Sequence, residues 1–484
     1  MAQPLSKAYT ASDNQTLTTN KLNDITQQKS ETINYDLSVA GLGKRRSHST
    51  HYCLGPRQIE APQRTKVRMY RSCHFTDVCF APDGHPLYKA SNTEFQGFRL
   101  IYITKDGDNS DYVQNPELIK TIIKPQGLMG GPSHMFPKRK FYTTPRIINE
   151  STAALHERFW SPIPVAIPFL PHQCTNFGHA LGDNAFAIFR ILQNFGLYHP
   201  ELDFLPMRIE CADEDACLDQ CSCFDRCKVL SKVMAPFLKD GDKLTAFQYY
   251  FKTAMNMSTA HYRQRREKQS LPLLCFENVL SGMYYYADHG EDPTLHGGKE
   301  NENGSNLFLV GKGDKVREFR NQYMIRLGLD PNRHLQRPCA SRDSASIVVI
   351  PRRPETSRQS GWYDEKLIAE LQKILPDEKV AVDDYSTYTV KAQVELISKA
   401  KVLVSMGGGA SYLAWFLGPG ASALFLKRRC KVNDGFIWDN LPYIRKEYFN
   451  ATDCTAVPEV FDYAEMAKSV AGLIQHYNRR FCED

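Results

Sequence analysis

The chain has 484 residues, of which 42% are hydrophobic, and its formal net charge is +6. This length exceeds the size at which one hydrophobic core keeps growing, so we expect two domains. The small net charge, without a basic stripe that contains interleaved aromatic residues, argues against a nucleic-acid partner. No apolar stretch is long enough to predict a membrane span, and the polar N-terminal residues do not predict a signal peptide.

The first predicted region, residues 1–65, is rich in Ser, Thr, Asn, Gln and Lys and has few large apolar side chains. Such a segment cannot bury enough surface to offset the entropy cost of ordering it, so we predict a disordered arm or stem. Beyond the arm, apolar runs predict strands, among them Leu100–Ile103 and Cys275–Leu280. Asn176–Leu197 has the apolar spacing of a helix, and Gly196 is its predicted stop.

A cluster of cysteines lies in one loop. The chain has 14 of them, and five lie close together at Cys211, Cys217, Cys221, Cys223 and Cys227. Their spacing lacks the two C-x2-C pairs that make a zinc site a strong assignment, so we favour disulfides and keep zinc as the alternative. A cysteine content this high is typical of an oxidising compartment.

Sequons for N-glycosylation occur at Asn14, Asn149, Asn256, Asn303 and Asn450. They agree with the cysteines in favouring a glycoprotein in the lumen of the secretory pathway, either the Golgi or the endoplasmic reticulum. The cytoplasm is the alternative, because no signal or anchor is visible.

The polar segment Gly290–Asn306 is predicted to link two domains. Val316–Leu329 follows as an amphipathic helix, with Arg317 and Arg320 expected on its solvent side. Strands and helices then alternate, which predicts an α/β, Rossmann-like domain with a parallel sheet and helices on both faces. The predicted strands are Ile347–Ile350, Val380–Val382, Val402–Ser405 and Ala423–Leu426, and the predicted helices are Asp364–Ile374, Val390–Ala400 and Ser411–Phe416.

A glycine-rich turn follows the strand Val402–Ser405. Glycine lets the backbone approach a ligand closely, and the N–H groups at the start of the next helix favour a negative group such as a diphosphate. The turn has neither the lysine of a Walker A loop nor the spacing of a dinucleotide-binding or nucleophile-elbow motif. Its residues are Gly407, Gly408, Gly409, Ala410 and Ser411.

Three arginines follow the strand Ile347–Ile350, at Arg352, Arg353 and Arg358. A guanidinium is planar and always charged, and it binds phosphate oxygens in a bidentate manner. Arginines after a strand are often simply solvated, but their order relative to the glycine-rich turn indicates a nucleotide or nucleotide-sugar site.

The C-terminal sequence resembles glycosyltransferase family 61. The resemblance runs from Ile347–Arg353 through Gln393 and Gly407–Ala410 to Phe416–Ala421. Upstream pieces agree in order, including Asn176-Phe177-Gly178-His179 with Asp183, and Cys275–Gly282. The similarity covers roughly Val67 to the C-terminus.

The resemblance implies an inverting transferase of GT-B type, in which two Rossmann-like domains face across a cleft. Residues 66–300, with the cysteine-rich insertion, would then bind a glycan or glycoprotein acceptor. Residues 301–484 would bind a UDP-sugar as co-substrate, either a pentose or an N-acetylglucosamine donor. Such enzymes typically use no metal and no other cofactor.

An inverting transferase needs a base for the acceptor hydroxyl. His179 and Asp183 are four residues apart on one predicted helix and so share a face, while Asn176 lies where it could cap that helix. Either Asp183 is the base or it orients His179, which is then the base. Without the resemblance, the two residues are also compatible with an ordinary surface pair.

The sequence departs from the family pattern at two places. Members usually have a histidine where Met406 stands, and often an acidic residue in the strand Ala423–Leu426. The alternative function is therefore a catalytically silent relative that binds nucleotides or carbohydrates.

Overall fold

The computed structural model contains two main sheets and the helices that pack on them. It describes residues 46–54, 72–82, 84–88, 99–122, 142–169, 171, 175–199, 204–208, 228–238, 247–282, 313–332, 346–350, 364–382, 388–427, 441–453, 455 and 460–482. The predicted cysteine loop and the predicted linker Gly290–Asn306 lie outside these ranges. The helices in the described ranges are all too short or too polar to span a membrane.

Among the described residues, the first sheet has eight strands, which come from the stretch between residues 50 and 281. Its main strand order is β6-β3-β2-β10-β8-β9, with β1 beside β2 and β7 beside β10. A separate two-stranded sheet pairs β4 with β5. The bounds are β1 Thr50–Leu54, β2 Ser72–Ala81, β3 Arg99–Thr104, β4 Thr121–Ile122, β5 Tyr142–Thr143, β6 Arg146–Asn149, β7 Arg158–Trp160, β8 Val165–Phe169, β9 Phe204–Arg208 and β10 Leu273–Ser281.

The first sheet is mixed, whereas a Rossmann-like sheet is parallel. Strand β2 is antiparallel to β1, β3 and β10, while β10, β8 and β9 run parallel. A disulfide joins Cys79 and Cys275, which face each other across β2 and β10. Both cysteines are fully buried. The strands predicted around Leu100–Ile103 and Cys275–Leu280 are confirmed.

Strand β1 lies within the predicted disordered arm, so that prediction is wrong for residues 50–54. The strand is held by a disulfide between Cys53 and Cys73 and by pairing with β2. Nδ1 of His51 also lies 2.9 Å from the hydroxyl oxygen of Tyr102, within hydrogen-bond distance. The polar composition of the arm concealed this strand because a covalent bond and side-chain contacts, rather than an apolar run, hold it.

In the part of the chain that the structure describes, the second sheet has five parallel strands in the order β12-β11-β13-β14-β15. Strand β11 comes first along the chain, and the next two strands, β12 and β13, lie on opposite sides of it. The topological switch point is therefore between β11 and β13, the place where open α/β sheets bind ligands. The parallel α/β prediction is confirmed, with bounds β11 Ile347–Val349, β12 Val380–Val382, β13 Val402–Met406, β14 Ser422–Lys427 and β15 Arg445–Asn450.

Helices connect these strands and cover both sheets. The α-helices are α1 Asp111–Gln114, α2 Glu150–Ala153, α3 Phe186–Asn194, α4 Lys228–Met234, α5 Phe247–Ala254, α6 Thr259–Glu267, α7 Gly313–Arg326, α8 Asp364–Ile374, α9 Val390–Ser398 and α10 Tyr463–Phe481. A π-helix spans His179–Ala185, and 3-10 helices span Pro116–Ile119, Ala235–Phe237 and Gly409–Phe416. Gly196 has a φ of 67° just after α3, which confirms it as a helix stop.

Alternate side chains of the second sheet pack against different helices. Val404 and Leu424 are buried in one cluster with Leu371 of α8 and Val470 of α10. Leu403 is buried on the other face in a cluster that includes α9. This alternation follows from the period of two in a strand, so both faces of the parallel sheet are covered.

One apolar cluster extends from the first sheet to the second. It includes Ile167 of β8 and Leu403 of β13. Between them, the rings of Phe186, Phe319 and Trp415 pack edge to face with centroids 5.3–6.0 Å apart. Trp415 is fully buried, so its indole is a core side chain. The helices between the sheets are therefore fixed to both of them.

The expected solvent position of Arg320 is wrong. Its side chain is 1% exposed, whereas Arg317 is exposed as predicted. Nε of Arg320 donates to the Leu417 carbonyl at 3.1 Å, and Nη1 donates to the Pro331 carbonyl at 3.2 Å. Burial lowers the pKa of Arg320 to about 10. Helical periodicity could not reveal this burial because the accepting carbonyls belong to other segments.

A buried histidine in the first half predicts a pH dependence of stability. His85 is 3% exposed, its Nδ1 accepts a hydrogen bond from the Leu87 N–H at 3.0 Å, and its ring lies 4.9 Å from that of His156. Burial, with the neighbouring charges of His156 and Arg146, lowers the pKa of His85 to about 4. The folded state therefore favours the neutral ring.

We expect the contribution of neutral His85 to the stability of the folded state to be complete above pH 6.5, the ordinary histidine pKa. This stability should be lost as the pH falls to about 4. The shift corresponds to a decrease on the order of 3 kcal/mol in the free energy of unfolding. Denaturation of His85→Gln across this pH range should show a flatter profile. His261→Gln, at an exposed position on α6, is the control; an equal flattening in the control would contradict the assignment.

Candidate active site

The predicted helix at His179 begins with an asparagine cap. Oδ1 of Asn176 accepts hydrogen bonds from the N–H groups of Gly178, at 2.9 Å, and His179, at 3.4 Å. This confirms Asn176 as the cap. His179 itself is 6% exposed. The imidazole is thus on the first turn of the helix and is largely shielded from bulk water.

The helix that contains His179 is a π-helix from His179 to Ala185 before it continues as α3. Periodicity did not predict this, because a π-helix differs from an α-helix by only one residue per hydrogen-bonded turn. The N–H of Phe186 still bonds to the Leu181 carbonyl, five residues earlier. π-Helices are rare and frequently occur at functional sites, which makes this segment a candidate site on geometric grounds.

Asp183 belongs to the same π-helix. Its side chain lies outside the described part of the structure, so the predicted pairing with His179 stays a prediction.

The glycine-rich turn, Gly407–Ser411, directly follows β13, and its last three residues form the start of the 3-10 helix Gly409–Phe416. Gly408 has a φ of 133°, a conformation that side chains rarely adopt, and no atom lies within 4 Å of the position that a Cβ would take. Glycine is therefore required here by the backbone rather than by crowding. Gly407 to Ala410 are partly exposed, whereas Ser411 is buried.

Ser411 holds the shape of this turn. Its amide donates to the Gly408 carbonyl at 3.1 Å, and its hydroxyl donates to the same oxygen at 2.6 Å. These bonds engage both donors of Ser411 inside the turn. The N–H groups earlier in the turn are consequently better candidates for an anionic ligand.

The glycine-rich turn and the start of the π-helix are in direct contact. A Cβ on Gly178 would lie 2.6 Å from Cδ2 of Tyr412 and 2.9 Å from Cα of Gly409. A Cβ on Gly409 would overlap Oδ1 of Asn176. Both glycines are needed because two backbones pass this close together. The structure therefore unites two motifs that are more than 200 residues apart in sequence.

The switch point lies beside the same turn. The N–H of Ile350, just after β11, donates to the Val404 carbonyl of β13 at 2.9 Å. The chain therefore leaves β11 and β13 at the same edge of the sheet. Arg352, Arg353 and Arg358 follow Ile350 but lie outside the described residues, so their contacts with the turn stay predictions.

Met406 lies on the other face of β13. It is 6% exposed and packs with Val404, Leu426 and Met466 in the apolar cluster that contains side chains of α8 and α10. Strand alternation thus directs this side chain away from the face that carries the π-helix. The departure from histidine at Met406 is accommodated by apolar packing.

The family model described as Glycosyltransferase 61 matches residues 177–424, just over half of the chain. The match begins beside His179 and ends in β14, so it includes both motifs that the structure brings together. This chain belongs to glycosyltransferase family 61. A search of the curated proteins found no match.

Membership of family 61 implies glycosyltransferase activity, with a nucleotide-sugar donor and a glycan acceptor. It does not favour the catalytically silent alternative. The disulfides Cys53–Cys73 and Cys79–Cys275, together with the family, indicate the lumen of the secretory pathway. Among the described residues, no three His, Cys, Asp or Glu side chains form a group that could hold a metal ion.

Sequence reasoning did not identify two residues of the site. Tyr412 packs against Gly178, and Asn184, which is fully buried, donates from Nδ2 to the His179 carbonyl at 2.7 Å. A buried asparagine inside an apolar helix was the available signal for Asn184, since asparagine is a weak helix former. No local signal indicated Tyr412, whose partner is distant in sequence.

Proposed function

We propose that this chain is an inverting glycosyltransferase that moves a pentose or N-acetylglucosamine from a UDP-sugar to a hydroxyl group of a glycan or glycoprotein. The observation that supports this most strongly is the contact between the glycine-rich turn and the segment before His179. The turn follows one of the two strands that flank the switch point, where a nucleotide would bind. The helix that carries the proposed base begins at the same place.

In this reaction, the acceptor oxygen attacks the anomeric carbon as the bond from that carbon to the diphosphate breaks. His179 takes the hydroxyl proton, and Asp183 orients the imidazole and stabilises its charged form. The anomeric configuration inverts because attack and departure occur on opposite faces. A buried imidazole suits this role since bulk water does not compete with the acceptor hydroxyl.

The leaving UDP requires positive charge and N–H donors. Arg352, Arg353 and Arg358 are proposed to supply the charge, and the amides of Gly407, Gly408, Gly409 and Ala410 the donors. Ser411 supports them by fixing the Gly408 carbonyl. This set replaces the metal ion that other transferases use, so we propose metal-independent transfer. We propose the lumen of the Golgi or of the endoplasmic reticulum as the compartment, because the disulfides Cys53–Cys73 and Cys79–Cys275 persist in an oxidising lumen.

A donor screen tests this function. The full chain is incubated with UDP-xylose, UDP-arabinose, UDP-N-acetylglucosamine and UDP-glucose, and with GDP-mannose as a control, each with and without EDTA. We expect one UDP-sugar to raise the thermal midpoint and to release UDP in the presence of EDTA. A donor at 100 times its Kd adds about 2.7 kcal/mol to the stability of the folded state, which a thermal scan detects.

The outcomes separate the parts of the proposal. If the protein is folded and no donor changes its thermal midpoint, donor binding is contradicted. If EDTA abolishes the release of UDP and Mn²⁺ restores it, metal independence is contradicted but the transferase activity is still supported. Analysis of the anomeric configuration of the product by NMR tests inversion directly.

A further inference from the structure

The backbone of His179 is held on both sides by side-chain amides. Oδ1 of Asn176 accepts from its N–H at 3.4 Å, and Nδ2 of Asn184 donates to its carbonyl at 2.7 Å. Asn184 is fully buried and so makes this contact without competition from water.

The position of Asn184 follows from the π-helix. In a π-helix the residue five positions later returns to the carbonyl of the first residue, and Asn184 is five positions after His179. The side chain of Asn184 can therefore bend onto that carbonyl, which an α-helical geometry would place closer to residue 183. The amide thus stabilises the wide turn at the residue where the turn begins.

We propose that Asn184 is a positioning residue for the transfer reaction, and that its Nδ2 fixes the backbone of His179 so that the imidazole meets the acceptor hydroxyl. This inference rests on the proposed function. Asn184 does not contact the substrate in this assignment. It acts through the orientation of the His179 peptide, which the Asn176 cap fixes at the other end.

The chain offers a matched control. Asn278 in β10 is 1% exposed, and its Nδ2 donates to the Pro164 carbonyl at 3.2 Å. Its Oδ1 lies 2.8 Å from Nε2 of His74 in the first sheet. Asn278→Asp and Asn184→Asp therefore each replace one buried amide donor to a backbone carbonyl by a carboxylate of the same shape. Only Asn184→Asp changes a residue of the π-helix.

The test compares both variants and Asn184→Ala with the parent chain in turnover, donor binding and hydrogen exchange. We expect both Asn184 variants to lower kcat by about 10- to 100-fold, as a small misplacement of a catalytic group does, while the thermal shift with the UDP-sugar is retained. Amide exchange over residues 177–186 should accelerate. Asn278→Asp should lower the thermal midpoint comparably but leave kcat and this exchange unchanged.

Equal effects of the Asn184 and Asn278 changes on kcat would overturn the inference and indicate a structural role. Unchanged exchange over residues 177–186 in both Asn184 variants would also overturn it, and this readout does not depend on activity. A parent chain without turnover, but with faster exchange in the variants, would instead overturn the proposed function and, with it, the positioning role in transfer.

Discussion

Replacing His179 by alanine is expected to lower kcat by about 10²- to 10⁴-fold, the usual contribution of a general base. The donor should still bind, because His179 lies on the π-helix and the proposed contacts of the diphosphate lie after β11 and β13. The thermal shift with the UDP-sugar should therefore match that of the parent chain. Initial rates at saturating donor and acceptor give the measurement.

His179→Gln is the matched variant, since it keeps a polar side chain of similar size but cannot act as a base near neutral pH. We expect it to be as inactive as His179→Ala. Asp183→Asn should reduce kcat through loss of orientation of the imidazole. If both His179 variants retain activity within about 10-fold of the parent and Asp183→Asn does not, Asp183 is the base and His179 is not.

Alanine at Gly409 should separate the two halves of the site. Its Cβ would overlap Oδ1 of Asn176 and would lie 3.0 Å from Cγ of Asn176 and 3.2 Å from the amide nitrogen of Gly178. Asn176 would have to leave the cap position, which alone costs about 1 kcal/mol. Crowding adds about 1–3 kcal/mol to the loss of stability. We expect Gly178→Ala to behave similarly, because it meets Tyr412 and the backbone of Gly409.

In both glycine variants, kcat/KM should fall even at temperatures where the protein remains folded. A displacement of about 1 Å between a base and a bound substrate can cost about 10²-fold in rate, so we expect a decrease of that order in kcat/KM. Thermal midpoints and initial rates with the UDP-sugar identified by the donor screen provide the measurements.

Gly472→Ala is the control for these substitutions. Gly472 lies on the exposed side of α10, and no atom is within 4 Å of its Cβ position. Alanine there should stabilise the helix by about 0.5–1 kcal/mol and leave activity unchanged. Wild-type rates and stability in Gly409→Ala would show that the close contact between the turn and the π-helix is not needed.

Local patterns in the sequence predicted most of the second sheet. The strands β11, β13 and β14 are runs of apolar residues, and their alternation with helices along the chain predicts a parallel arrangement. Strand β15 was missed because Arg445–Asn450 is polar at this edge of the sheet. Helix α10 was also missed, although Asp462 caps it through the Glu465 N–H and its apolar spacing is regular.

The sequence by itself determined the family, the parallel sheet, the asparagine cap and the residue types of the site. These depend on local spacing and on ordered motifs, which remain visible along the chain. Tertiary structure decided that Gly178 meets Gly409, that Arg320 is buried and that β1 is a strand bound through Cys53. It also decided that the helix at His179 is a π-helix. Each of these depends on partners distant in sequence or on a hydrogen-bond register that residue periodicity does not specify.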